Sequence, residues 1–205
     1  AIAKWALGLV LVAAMVGFYR RIKFAHVEAG LRTGDKHRPF PEEVNRRIAD
    51  LVADLYFAPT ERCREALLRE GVEARRIQVT GNTVVDALLN VAERPCEWGA
   101  GPLAAIPRDK RLVLITAHRR ESFGGPFREL CQAIRVLAGR YEKDGVHFVY
   151  PFHLNPNVRE PVWEILSDLP NVTLMSPLNY TELIHLMGQA TLVLTDSGGI
   201  QEEAP

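Results

Sequence analysis

Five places along the 205-residue sequence put polar or glycine residues directly after a short apolar run. They are Glu28-Ala29-Gly30, Gly81-Asn82-Thr83, His118-Arg119-Arg120-Glu121, His153-Leu154-Asn155-Pro156 and Asp196-Ser197-Gly198-Gly199. From Thr195 to Glu203, small residues stand where a strand gives way to a helix, so backbone N–H groups and the positive helix end can receive phosphate oxygens. Gly198 and Gly199 permit close approach of a diphosphate, and Glu203, one turn further, can accept hydrogen bonds from ribose hydroxyls. A tight turn with surface glutamates is the plain alternative. Glu28 and Glu42 are two carboxylates able to divide acid and base work between them, and Arg46 lies four residues after Glu42 on the same helical face. The plain alternative there is a surface ion pair and an exposed loop glutamate. His118 beside Arg119 and Arg120 combines a group titrating near neutrality with two permanent cations, a set suited to a departing diphosphate, or simply to capping. His153 stands in a turn after a strand, whereas His147 and His185 read as packing or surface residues. No metal-ligand spacing links the histidines and cysteines.

These residues need a scaffold that brings strand ends together. Short apolar runs recur at residues 22–27, 54–58, 77–80, 112–116, 146–151, 172–175 and 191–195, separated by helix-length stretches, which predicts an α/β fold of parallel βαβ units. In such sheets ligands gather at the carboxyl ends of the strands. Pro41-Glu42-Glu43 reads as a first helical turn, and Thr60 as the N-cap of a helix that Gly71 ends. The apolar segment Trp5–Phe18 is short for a membrane span, which needs roughly 17 to 25 residues, and is expected to be a buried helix. Arg94–Lys110, rich in Pro, Gly and Ala, marks a domain boundary or hinge.

Composition narrows the function. With 25 basic and 25 acidic residues and 47% apolar content, the chain is an ordinary globular protein without the positive field of a generic nucleic-acid binder. Three scattered cysteines point to a reducing cytoplasm. G-x-S-x-G, Walker and G-x-G-x-x-G motifs are absent, against a serine hydrolase, a P-loop NTPase or a dinucleotide enzyme. The chain begins at Ala1 and stops at Pro205 after an acidic stretch, so both ends read as cut.

Six ordered segments, HVEAGLRTGD from His26, PFPEEVNR from Pro39, GNTVVDAL from Gly81, AHRRESFG from Ala117, HLNPNVREPV from His153 and TDSGGIQEEAP from Thr195, closely resemble the non-hydrolysing UDP-N-acetylglucosamine 2-epimerases. The resemblance implies a GT-B-like architecture of two Rossmann-like domains with the active site in the cleft between them. It places residues 1–95 in the remainder of the N-terminal domain and 96–205 in the first part of the C-terminal, UDP-binding one. It implies interconversion of UDP-GlcNAc and UDP-ManNAc without a cofactor, through elimination and re-addition of UDP, in a protein that is a homodimer at full length. By the same resemblance Glu28, Glu42 and His118 match catalytic positions and Arg46 a supporting one. Ser197, Gly198, Gly199 and Glu203 match the UDP-binding turn, and Arg119 and His153 a second, regulatory UDP-GlcNAc site. Two departures stand out. The family's G-D-T motif falls where this sequence reads Trp5-Ala6-Leu7, so the isolated chain is expected to be inactive, and Leu183 replaces an aromatic residue found near the uracil in some members. A hydrolysing relative, a GT-B glycosyltransferase and a non-catalytic UDP-sugar-binding remnant are the alternatives.

Overall fold

A computed structural model describes residues 2–117 and 123–204, with side chains from residue 8 onward. The chain forms two compact units, residues 1–83 and 84–205.

In the first unit, α1 (Ile2–Tyr19) precedes β1 (Ala25–Val27), α2 (Glu42–Val52), β2 (Leu55–Ala58), α3 (Glu61–Arg69) and β3 (Ile77–Val79). The strands lie parallel in the order β1-β2-β3, with His26 opposite Tyr56 and Tyr56 opposite Ile77. Thr60 caps α3 as expected, its side chain accepting from the Cys63 N–H, and Gly71 follows with φ +89°. Tyr56, Ala58, Cys63, Leu67 and Ile77 form the core.

α1 corrects one expectation. It is helical, but Leu9, Val12, Val16 and Phe18 are each more than half exposed, and only Ala14 among its described side chains is buried. The apolar residues surround this helix instead of forming a stripe, and packing on α2 covers one side only. Among the described residues no helix is long and apolar enough to cross a membrane.

In the second unit, α4 (Thr83–Ala92) leads to β4 (Arg111–Thr116), α5 (Gly125–Tyr141), β5 (Val146–Pro151), α6 (Pro156–Leu166), β6 (Val172–Met175), α7 (Tyr180–Gln189), β7 (Ala190–Thr195) and α8 (Gly198–Glu203). The four strands pair in parallel in the order β6-β5-β4-β7. Period-two alternation sends Val113 and Ile115 of β4 toward α5 and α6, and Leu112 and Leu114 toward α7, so both sheet faces are covered. Cys96, Trp98, Leu103 and Ile106, from the stretch read as a hinge, pack into this second core. Leu88 of α4 packs against the same core, and the compact units divide at 83/84.

Candidate active site

The turn after β1 is built with strain at its tip. Glu28 has φ +67°, a left-handed conformation that costs a non-glycine residue about 1–2 kcal/mol. Gly30 follows at φ +82°, where a Cβ would lie 2.4 Å from the Cys63 carbonyl oxygen. Strain of this kind concentrates where a side chain must be aimed for function.

α2 presents an unusual inner face, with Glu42, Glu43 and Asp50 all buried. Two of these carboxylates are fully engaged. Asp50 lies 2.6 Å from His26 Nδ1 and accepts from the Gly30 N–H at 3.2 Å and from Arg32 Nη2 at 2.7 Å. Glu43 accepts from the Thr33 and Gly34 N–H groups at 3.0 and 3.3 Å and lies 3.1 Å from the Thr33 hydroxyl. Arg32 continues to Glu70 through two bonds of 2.8 and 2.6 Å. Burial would lower the pKa of Arg32, but its bonds to Glu70 and Asp50 outweigh that and raise it. Its hydrogen bond in turn holds Glu70 below the usual carboxylate value.

Glu42 differs from its neighbours. It is 8% exposed, and its Oε2 has no hydrogen-bond partner among the described residues. A buried acceptor left unmatched costs about 1–3 kcal/mol, a cost that structural carboxylates avoid. Among the described residues Glu42 and Arg46 form no ion pair, although their spacing puts them on one helical face, and Arg46 is half-buried.

In the second unit the ends of β4 and β7 are tied together. Thr116 and Thr195 hydroxyls lie 2.7 Å apart, and the Asp196 N–H donates to the Thr116 carbonyl at 3.3 Å. The Ser197 N–H donates to the Thr195 hydroxyl at 2.9 Å, which sets the turn into α8. Ser197 is the N-cap without spending its side chain on a capping bond, and Gly198 and Gly199 open the helix in exposed positions. A Cβ at Gly199 would meet its nearest atoms at 3.9 Å, so the protein's own packing does not require glycine there. Half-buried Glu203 has a raised pKa, from burial first and the charge of Glu202 second. His153, exposed after β5, accepts the Asn155 N–H at its Nδ1, and Asn155 caps α6. His118 and Arg119 lie outside the described residues.

The structure thus places Glu28, Glu42 and Arg46 in the first unit and Ser197, Gly198, Gly199, Glu203 and His153 in the second. Sequence reading missed His26, Arg32, Thr33, Glu43 and Asp50 as a connected set. The seven-residue spacing of Glu43 and Asp50, two helical turns, was the one local signal of a shared face.

The family model for UDP-N-acetylglucosamine 2-epimerase matches residues 9–205. The chain belongs to the UDP-N-acetylglucosamine 2-epimerase family. It is 50% identical over 201 residues to the UDP-N-acetylglucosamine 2-epimerases of Yersinia pestis and of Escherichia coli K12, covering 95% of this chain and 53% of each relative. Among solved structures it is similar to the UDP-GlcNAc 2-epimerase of Neisseria meningitidis bound to UDP-GlcNAc, with TM-score 0.80 and 40% identity over 95% of this chain and 53% of that one. It is also similar to S. aureus MnaA in a co-structure with UDP, with TM-score 0.81 and 41% identity over 94% and 50%. The family member described here therefore spans about half the length of the relatives it matches, and its parallel sheets have the GT-B-like form of these epimerases.

Proposed function

We propose that the complete protein is a non-hydrolysing UDP-N-acetylglucosamine 2-epimerase, an isomerase that interconverts UDP-GlcNAc and UDP-ManNAc. The match over residues 9–205 carries this reading, and the unmatched buried oxygen of Glu42 supports a working carboxylate on α2.

The sugar C2–H is weakly acidic, so its removal is coupled to departure of UDP from C1. A base takes the C2 proton, the C–H pair becomes the C1=C2 double bond, and the C1–O pair leaves with UDP, giving 2-acetamidoglucal. UDP then attacks C1 again while a proton is delivered to the opposite face of C2. Glu28, Glu42 and His118 carry these proton transfers between them, with Arg46 supporting. Ser197, Gly198 and Gly199 hold the diphosphate, and Glu203 the ribose. Arg119 and His153 line a second, regulatory UDP-GlcNAc site. In this reading residues 1–95 and 96–205 are the parts of the two Rossmann-like domains, the full-length protein is a homodimer, and it works in the cytoplasm, where the free thiols of Cys63, Cys96 and Cys131 are at home.

The test is incubation of the protein expressed from its complete reading frame with UDP-GlcNAc in D2O. UDP-ManNAc carrying deuterium at C2 is expected. Free ManNAc with UDP would instead indicate a hydrolysing relative, transfer to an acceptor a glycosyltransferase, and UDP binding without turnover a non-catalytic sugar-nucleotide binder.

A further inference from the structure

The two buried carboxylates that the proposed reaction leaves unused sit where they can set its geometry. Glu43 and Asp50 are 1% and 2% exposed on the inner face of α2. Being seven residues apart, they stand about 10 Å from one another along the helix axis. Each grips the same loop. Asp50 takes His26 and Gly30, the residues that bracket Glu28. Glu43 takes the backbone N–H groups of Thr33 and Gly34, and it is the immediate neighbour of Glu42; the Thr33 hydroxyl, 3.1 Å from Glu43, lies closer to the Arg38 carbonyl at 2.5 Å. Arg32 closes the arrangement by joining Asp50 to Glu70 at the end of α3.

We infer that Glu43 and Asp50 are positioning residues, a two-point clamp that holds the 26–34 loop against α2 so that Glu28 and Glu42 share one rigid frame. The inference rests on the proposed epimerase reading for its catalytic consequence, but not for the clamp itself. One attachment would leave the loop able to pivot, whereas two attachments two turns apart remove both rotation and sliding along the helix. The satisfied hydrogen bonds offset the cost of burying two acids. The left-handed Glu28 needs such a restraint, because the relaxed conformation of a non-glycine residue lies elsewhere.

The test uses the protein from its complete reading frame and the variants Asp50→Asn and Glu43→Gln. Misplacing a catalytic group by about 1 Å costs on the order of 100-fold in rate, so Asp50→Asn and Glu43→Gln are expected to lower kcat roughly 10- to 100-fold. KM and UDP affinity should stay within about threefold, as positioning acts on the transition state rather than on ground-state binding. Lowered melting temperatures with unchanged kcat per folded molecule would overturn the inference, as would, should the buried variants fail to fold, rapid exchange of the Gly30, Thr33 and Gly34 amides in the wild type. Amide exchange is the second readout. Gly30 should lose protection in Asp50→Asn, and Thr33 and Gly34 in Glu43→Gln, and unchanged protection refutes the clamp. If the wild type shows no turnover while these amides respond, the reaction reading fails and the clamp stands.

Discussion

Gly30 shows how a single missing Cβ sets the approach of α3 to the turn that carries Glu28. The backbone there needs both a positive φ and room beside the Cys63 carbonyl, and only glycine meets both demands. Gly30→Ala is therefore expected to destabilise the first unit by about 2–4 kcal/mol, read as a lowered urea midpoint at unchanged slope. Cys131 offers a chemical probe of the other unit. It is fully buried, and burial pushes its thiol up to about 11 against the opposing charge of Arg128. In the native protein at mildly alkaline pH, iodoacetamide should modify the partly exposed Cys96 and leave Cys131 untouched until denaturant is added, as mass spectrometry of the tryptic peptides can check.

Helices α2 and α3 divide two tasks. α3 is an ordinary amphipathic helix, buried through Cys63, Ala66 and Leu67 and started by Thr60. Thr60→Ala removes the acceptor for the Cys63 N–H and should cost about 1 kcal/mol in equilibrium unfolding, with Thr60→Ser nearly neutral. α2 instead buries acids, and its order comes from donors on the preceding loop. α1, apolar on all sides, lends α2 a neighbour but leaves much of its own surface in water.

Long-range charge pairs connect these elements into a unit. Arg32 and Glu70 are 38 positions apart in sequence, and their paired bonds hold the loop against the end of α3. The Arg32 hydrogen bond depresses the folded Glu70 pKa below its usual 4.5, with burial opposing. A depressed carboxylate contributes stability above its unfolded value and loses it as pH falls through the folded one. Glu70→Gln should thus unfold more easily than wild type at neutral pH, with the gap narrowing as the pH falls below the ordinary value of 4.5 in urea titrations at stepped pH. The second unit relies less on charge. Its sheet is apolar on both faces, and its ion pairs, such as Arg128 with Glu164 and Arg135 with Asp168, are exposed and screened.

Every expected strand appears within a few residues of its apolar run, and the helix starts at Glu42 and Thr60 fall where Pro41 and the capping threonine put them. Those features were legible because apolar alternation, proline and capping chemistry act over a few residues. The six motifs likewise marked the family. Spacing alone did not decide whether Glu42 and Arg46 pair, and hydropathy alone misjudged the burial of α1. Neither pattern announced that Glu43 and Asp50 would be buried, since an acid on a helix normally faces water. Their burial is tolerable only because His26, Gly30, Arg32, Thr33 and Gly34 supply donors from 9 to 24 residues away. Local order can be read along the chain, whereas the balance between desolvation and distant hydrogen-bond donors exists only once the loop has folded back onto the helix.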